Sequence, residues 1–225
     1  MLVDIQFNPT MRDWARLRDD VLRAEQDGYS TTWVFDHLRA DTLRGEQPVM
    51  ECCTLLGALA ACTTTIGLGS MVANVANRHP AILAIAAATV QRISGGRFIA
   101  GIGAGAAPGT RWAHEHEVLG IPLAASIDDR HQRVVEQIAA LRAETDAPII
   151  VGVNTRRLAR LAGQLADGVN VRLSHERAAE FLAAATEAAH GRRFERSAWT
   201  DEDTTERRDQ AEALEIDRLI IAPPT

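Results

Sequence analysis

Lysine is absent from this chain of 225 residues, whose 24 basic residues are all arginine. Mechanisms that need a lysine nucleophile, such as Schiff-base formation, are therefore excluded. The arginines are scattered along the chain and form no basic block, and the net charge is −6. A nucleic-acid-binding face is not expected from this pattern, so we predict a small molecule as the partner.

Cysteine is scarce as well, since the chain has only Cys52, Cys53 and Cys62. An odd count without a spaced framework favours reduced thiols in the cytoplasm. The opening MLVDIQF lacks the charged start and long apolar run of a signal peptide, and no window reaches about 18 uninterrupted apolar residues. We therefore expect a cytoplasmic protein with no membrane partner.

Short apolar runs typical of strands alternate with segments of helical periodicity. The first helical segment has Trp14, Leu17, Val21 and Ala24 on one face. The predicted strands are Val3–Phe7, Thr32–Phe35, Ile66–Met71, Arg97–Ile102, Ile149–Val151, Gly168–Leu173, a weak one around Arg193–Trp199, and Arg218–Ala222.

Eight strands alternating with helices, without an antiparallel hairpin pattern, predict parallel β/α units. The economical closed form is a compact (β/α)8 TIM barrel, an α/β fold that residues 1–225 would form as one domain. An open doubly wound sheet is the alternative. It is less favoured because Asn8-Pro9-Thr10, and no GxGxxG turn, follows the first strand.

Asp36 and His37 follow the second predicted strand, at the end where a barrel places its catalytic groups. Histidine can carry a proton at neutral pH, so His37 is a catalytic candidate. The alternative is structural: Asp36 would cap the next turn and His37 would lie on the surface.

Two further loops after strands are candidates for ligand binding. Gly101, Gly103 and Gly105 allow close approach of backbone to a ligand, although tight packing of the strand explains them equally well. After the fifth strand, Gly152, Asn154, Thr155 and Arg156 precede or begin a helix, whose free N–H groups favour an anion. Ordinary capping by Asn154 or Thr155 is the alternative.

The run His114-Glu115-His116-Glu117 resembles a set of metal ligands at first sight. Residues at i and i+2 do not share a helical face, however, and the run contains no HExxH motif. We therefore predict no metal site and assign this segment to a polar rim of the binding site.

Four segments, in this order, resemble the luciferase-like monooxygenase family, and most of all its branch that uses the deazaflavin coenzyme F420. They are WVFDH at Trp33–His37, TIGLGSMVANVANRHP at Thr65–Pro80, QRISGGRFIAGIGAGA at Gln91–Ala106, and LAGQLADGVN at Leu161–Asn170. The resemblance implies a (β/α)8 barrel, commonly a homodimer. It also implies an oxidoreductase that transfers hydride between the deazaflavin C5 and a small organic substrate.

The resemblance also assigns roles. His37 is implied as the catalytic residue, with Asp36 beside it against the cofactor. A non-proline cis peptide between Ser70 and Met71 is implied behind the central ring of the cofactor. The other implied cofactor contacts are Asn74, Gly103, Gly105, Gly152, Asn154, Thr155 and Arg156.

The chain departs from the family in two places. Leu141 passes to Ile149 through RAETDAP alone, where family members carry a long insertion that helps to cover the substrate. Ala106 stands where the sugar-phosphate dehydrogenases of the F420 branch have a proton-donating Glu, so that activity is not expected. Two alternatives remain: an FMN-dependent monooxygenase or reductase of the same family, and a non-catalytic protein that binds flavin or deazaflavin.

Overall fold

A closed ring of parallel strands forms the centre of the molecule. The computed structural model describes residues 1–10, 13–42 and 45–222. The ring strands are β1 (Leu2–Phe7), β2 (Thr31–Val34), β5 (Gly67–Ser70), β7 (Phe98–Gly103), β8 (Ile149–Val153), β9 (Gly168–Arg172), β10 (Glu195–Thr200) and β11 (Arg218–Ile221). Each pairs in parallel with the next in this order, and β11 pairs with β1. The predicted (β/α)8 barrel is confirmed.

The helices lie around this ring. They are α1 (Trp14–Gln26), α2 (Cys52–Cys62), α3 (Pro80–Ile93), α4 (His114–Leu119), α5 (Ile127–Glu144), α6 (Arg156–Leu165), α7 (Ala178–Ala188) and α8 (Thr205–Ala213), with a 3₁₀ turn at Arg111–Ala113. Neither α4 nor α8 was expected from periodicity. In α8 only Ala211 is buried, so the helix has no apolar stripe that a pattern could show. None of the described helices is long and apolar enough to cross a bilayer.

The loop between β2 and α2 contains an antiparallel pair, β3 (Arg39–Thr42) and β4 (Gly45–Pro48). The expectation that the chain has no antiparallel hairpin is therefore wrong. The sequences RADT and GEQP lack the alternation of apolar and polar residues that marks a half-buried strand, so periodicity gave no signal here. This hairpin stands outside the barrel ring.

The lower part of the barrel interior is filled by side chains. Trp33, Met71, Ile150 and Ile220 form an apolar cluster inside the ring, separate from the larger core between strands and helices. Trp33 Nε1 donates to Asp4 at 2.8 Å, and Arg218 pairs with Asp4 at 2.5 Å, near the start of the strands. A ligand therefore has room only at the opposite, carboxyl end.

Candidate active site

A cleft of about 1850 Å³ opens at the carboxyl ends of the strands. Ligand pockets commonly measure roughly 300–1,000 Å³, so this one has room for a large cofactor. It brings together most of the residues singled out from the sequence: Asp36, His37, Met71, Asn74, Gly103, Gly105, Gly152 and Asn154. Four other candidates do not line it. They are Ser70, Gly101, Thr155 and Arg156.

The cis peptide bond lies between Met71 and Val72, so the prediction of Ser70–Met71 is wrong by one residue. Ser70 ends β5 and is buried, with its hydroxyl donating to the Gly101 carbonyl at 2.8 Å. Strand side chains alternate between faces, so Ser70 points out of the barrel and Met71 points in. The cis bond separates β5 from a short strand, β6 (Ala73–Asn74). The predicted strand Ile66–Met71 corresponds to β5, and β6 was not predicted.

The glycines of the cleft have a packing role. A Cβ on Gly103 would lie 2.6 Å from Val72 Cγ2, and one on Gly152 would lie 2.8 Å from Val72 Cγ1. A Cβ on Gly105, whose φ is +76°, would lie 2.4 Å from the Asn74 side-chain oxygen. Close packing against the segment from Val72 to Asn74 therefore accounts for these glycines, whether or not a ligand approaches them.

Asp36 is buried and its carboxylate is engaged by protein groups. Arg78 binds it in a bidentate pair, with nitrogen-to-oxygen distances of 2.5 and 2.7 Å, and the Asn74 backbone N–H donates to it at 3.0 Å. Burial raises the pKa of the Asp36 carboxyl, and the hydrogen bonds and charge of Arg78 only partly oppose this effect. Burial opposes the charge of Arg78 as well, but the pairing with Asp36 raises the pKa of the guanidinium. Arg78 also contacts Glu51. Asp36 thus fixes the loop after β6 beside the cleft.

His37 is partly exposed at the cleft and held from three sides. Its Nδ1 lies 2.9 Å from Glu115 Oε1. The ring of Trp112 stacks on the imidazole at a centroid distance of 5.4 Å, and Phe35 meets it edge-on at 5.3 Å. The alternative prediction placed His37 on the surface. Instead, a buried carboxylate and two aromatic rings orient its side chain.

Glu115 lines the cleft, as the predicted polar rim requires, but its contact with His37 was not predicted. Its second oxygen accepts the backbone N–H groups of Leu38 and Arg39 at 2.6 and 3.1 Å. Burial alone would raise the pKa of Glu115, but the hydrogen bonds from His37 and from these two N–H groups lower it, so the carboxylate is ionised at neutral pH. The only signal was its position in the loop that follows β7, since the residues it binds lie more than seventy positions earlier.

The other three residues of the His114–Glu117 run have different positions. Glu117 is exposed and does not line the cleft, so the predicted polar rim does not include it. His114 lines the cleft, whereas His116 is buried with its Nε2 2.8 Å from the Asn77 side-chain oxygen. Asn77 in turn donates to the Asp36 carbonyl at 2.8 Å. Within residues 1–10, 13–42 and 45–222, no three His, Cys, Asp or Glu side chains converge as metal ligands.

At the start of α6, Thr155 is the N-cap, with its hydroxyl accepting from the Leu158 N–H at 3.2 Å. The capping alternative is therefore correct for Thr155. Asn154, just before it, is exposed and lines the cleft, and Arg156 is the exposed first residue of the helix. The cap occupies the Leu158 N–H, and of the residues around this turn Asn154 and Leu158 line the cleft whereas Thr155 and Arg156 do not.

The chain is similar to a family of known proteins. The family model of the luciferase-like monooxygenases matches residues 4–146, well over half of the chain. A 5,10-methylenetetrahydromethanopterin reductase of Archaeoglobus fulgidus is 29% identical over 199 residues, which are 78% of this chain and 54% of that protein. The chain spans about half the length of the curated relatives it matches.

Solved structures share the fold. An F420-dependent secondary alcohol dehydrogenase, in complex with an F420-acetone adduct, superposes with a TM-score of 0.73 at 19% identity, covering 88% of this chain and 69% of that one. A riboflavin lyase with modified FMN and riboflavin gives a TM-score of 0.70 at 14% identity, covering 95% and 66%. At these identities the likeness establishes the fold alone.

Proposed function

The chain belongs to the luciferase-like monooxygenase family, and we propose that it is an oxidoreductase that uses coenzyme F420 and a small organic substrate. The observation that carries the proposal is His37, an oriented and partly exposed imidazole at the carboxyl end of a barrel strand, inside a cleft large enough for a cofactor. The relative from Archaeoglobus fulgidus and the neighbouring alcohol dehydrogenase support the choice of cofactor.

The residues of the cleft fit a deazaflavin. Met71, Val72 and Val153 give it an apolar wall suited to a flat ring, and Asn74 adds a polar side chain at its edge. Asn154 would bind an anionic group at the edge of the cleft, and the positive charge of the exposed Arg156, which lies outside the cleft lining, would attract that group. When bound, the deazaflavin would supply a carbon that accepts or donates hydride.

His37 has the task of moving the proton that accompanies hydride transfer. Oxidation of an alcohol, for example, releases a hydride from carbon and a proton from oxygen, and a positioned imidazole accepts that proton. The ring is held by Trp112, Phe35 and Glu115, so little rotational freedom is lost when a substrate binds. Asp36 acts indirectly, because Arg78 and the Asn74 N–H occupy its carboxylate.

The choice of cofactor is tested by calorimetric titration of the purified protein with F420 and, separately, with FMN. We expect tighter binding of F420. A clear preference for FMN would leave the family assignment intact and replace the branch assignment. The riboflavin lyase structure supports that second candidate, an FMN-dependent enzyme of the same family. Failure of both ligands to bind would contradict the proposal as a whole.

We further propose that the protein forms a homodimer through the outer faces of α2 and α3. The eleven residues of α2 include no charged side chain, and α3 has Arg92 alone. Ile82 and Ile85 on α3 are 57% and 52% exposed, respectively, although large apolar surfaces usually pack against a partner. Sedimentation velocity should give twice the mass of the chain, and Ile85→Asp should give the single mass. A wild-type protein that sediments as a monomer would contradict this proposal.

A further inference from the structure

Glu115 combines three donors on one buried carboxylate. Oε1 lies 2.9 Å from His37 Nδ1, while Oε2 accepts the backbone N–H groups of Leu38 and Arg39. The Glu115 side chain is 6% exposed, so water does not replace these partners. One carboxylate therefore fixes the loop after β2 and, at the same time, one nitrogen of the proposed catalytic imidazole.

We propose that Glu115 is a positioning residue that holds the proton of neutral His37 on Nδ1 and leaves Nε2 as the proton acceptor in the cleft. The inference rests on the proposed function for its catalytic consequence. The placement of the proton is a separate property, which can be measured without any substrate.

The argument for the tautomer starts from the acceptor. An ionised carboxylate has no proton to donate, so a hydrogen bond between it and Nδ1 requires the proton to be on the histidine. Neutral imidazole carries one N–H, and Nε2 is then unprotonated. Among the described residues, no hydrogen-bond partner of Nε2 is found, and the His37 side chain remains 37% exposed at the cleft.

The same contacts predict the behaviour of a glutamine at this position. The amide of Glu115→Gln offers one oxygen and one NH₂ group, whereas the site presents two backbone N–H donors on one side and His37 on the other. If the NH₂ group faced Leu38 and Arg39, two buried backbone N–H donors would lie opposite another donor and would lose their acceptor. The oxygen should therefore face the backbone, and the NH₂ should donate to Nδ1, which moves the histidine proton to Nε2.

The experiment is long-range ¹H–¹⁵N NMR of labelled protein without cofactor, recorded at about pH 9, above the range in which histidines ordinarily titrate. The spectrum of His37→Ala identifies the His37 signals. We expect wild type to show the Nδ1–H tautomer and Glu115→Gln to show the Nε2–H tautomer. Glu117→Gln is the matched control, since Glu117 is exposed on the same helix, and it should resemble wild type.

Steady-state kinetics test the catalytic consequence. With the acceptor at Nε2 lost, kcat of Glu115→Gln should fall on the order of 10²-fold, with KM nearly unchanged, because the wrong tautomer faces the substrate. A purely structural role would instead lower the melting temperature without inverting the tautomer. Glu117→Gln should keep the wild-type kcat.

The outcomes separate this inference from the proposed function. A wild-type protein with the proton on Nε2 would overturn the inference, even if Glu115→Gln failed to fold. An unchanged tautomer in a folded Glu115→Gln would overturn it too, as would an inverted tautomer with undiminished kcat. If F420 binds and no substrate reacts, the proposed function fails, and the two NMR spectra still decide where the proton lies.

Discussion

Asp36 and His37 are neighbours at the end of β2, yet their side chains have opposite environments. Asp36 is enclosed and receives hydrogen bonds from Arg78 and from the Asn74 N–H. His37 stacks on Trp112 and keeps part of its ring exposed in the cleft. An acid–base group must reach the substrate, so we propose this role for His37, whereas the Asp36 carboxylate holds the adjoining loop through Arg78 and the Asn74 N–H.

Met71 and Val72 also differ from their neighbour Ser70 in the direction of the side chain. Both line the cleft, whereas the Ser70 hydroxyl is bonded to Gly101 on the other side of the strand. The Met71 carbonyl accepts from the Gln6 side-chain amide at 2.6 Å, which fixes the backbone at the cis peptide bond. The ligand-facing wall is therefore Met71 and Val72, and Ser70 contributes to packing.

Between secondary-structure elements, a single carboxylate on a helix accepts hydrogen bonds from several backbone N–H groups of a neighbouring loop. Glu25 in α1 accepts from the backbone N–H groups of Thr64, Thr65 and Ile66, just before β5. Glu115 in α4 does the same for Leu38 and the following residue. These contacts attach outer helices to the turns that set the position of each strand.

Glu25→Gln should destabilise the protein in a pH-dependent way. Burial alone would raise the pKa of Glu25, but the backbone hydrogen bonds outweigh it and lower the pKa from 4.5 to about 2. The carboxylate therefore stabilises the fold fully above its ordinary pKa, and this contribution fades as the pH falls towards 2. After allowance for solvent screening of this partly exposed group, we expect a loss of about 1–2 kcal/mol at pH 7 in urea unfolding.

The difference between wild type and Glu25→Gln should shrink when unfolding is repeated below about pH 4.5. Glu187→Gln serves as the control, because Glu187 is exposed on α7, so the stability of this variant should follow wild type. A pH-independent difference would show that the charge of Glu25 is not what stabilises the contact.

At the scale of the whole molecule, the barrel could be predicted because every parallel strand needs a paired neighbour and a covering helix. The strand Ile149–Val153 appears as an apolar run for that reason. Polar elements gave no such signal, which is why the β3–β4 hairpin and α8 were missed.

The sequence predicts residues of the site only where they lie at the carboxyl ends of strands. His37, Asn74 and Asn154 follow or end strands and meet in one cleft, as the fold requires. Glu115 could not be assigned, because its role depends on contacts with residues far away along the chain. The predicted position of the cis peptide bond was wrong by one residue, because the sequence Ser70-Met71-Val72 does not determine which peptide bond is cis.

We propose that this cleft performs hydride transfer with His37 as its acid–base group. The most direct measurement is the steady-state absorbance change of F420 across a panel of small alcohols, aldehydes and ketones, for wild type and His37→Ala at equal cofactor occupancy. We predict turnover of at least one substrate by wild type, and a loss on the order of 10²-fold in His37→Ala with a nearly unchanged melting temperature. Bound F420 that no substrate oxidises or reduces, or full activity in His37→Ala, would contradict the account.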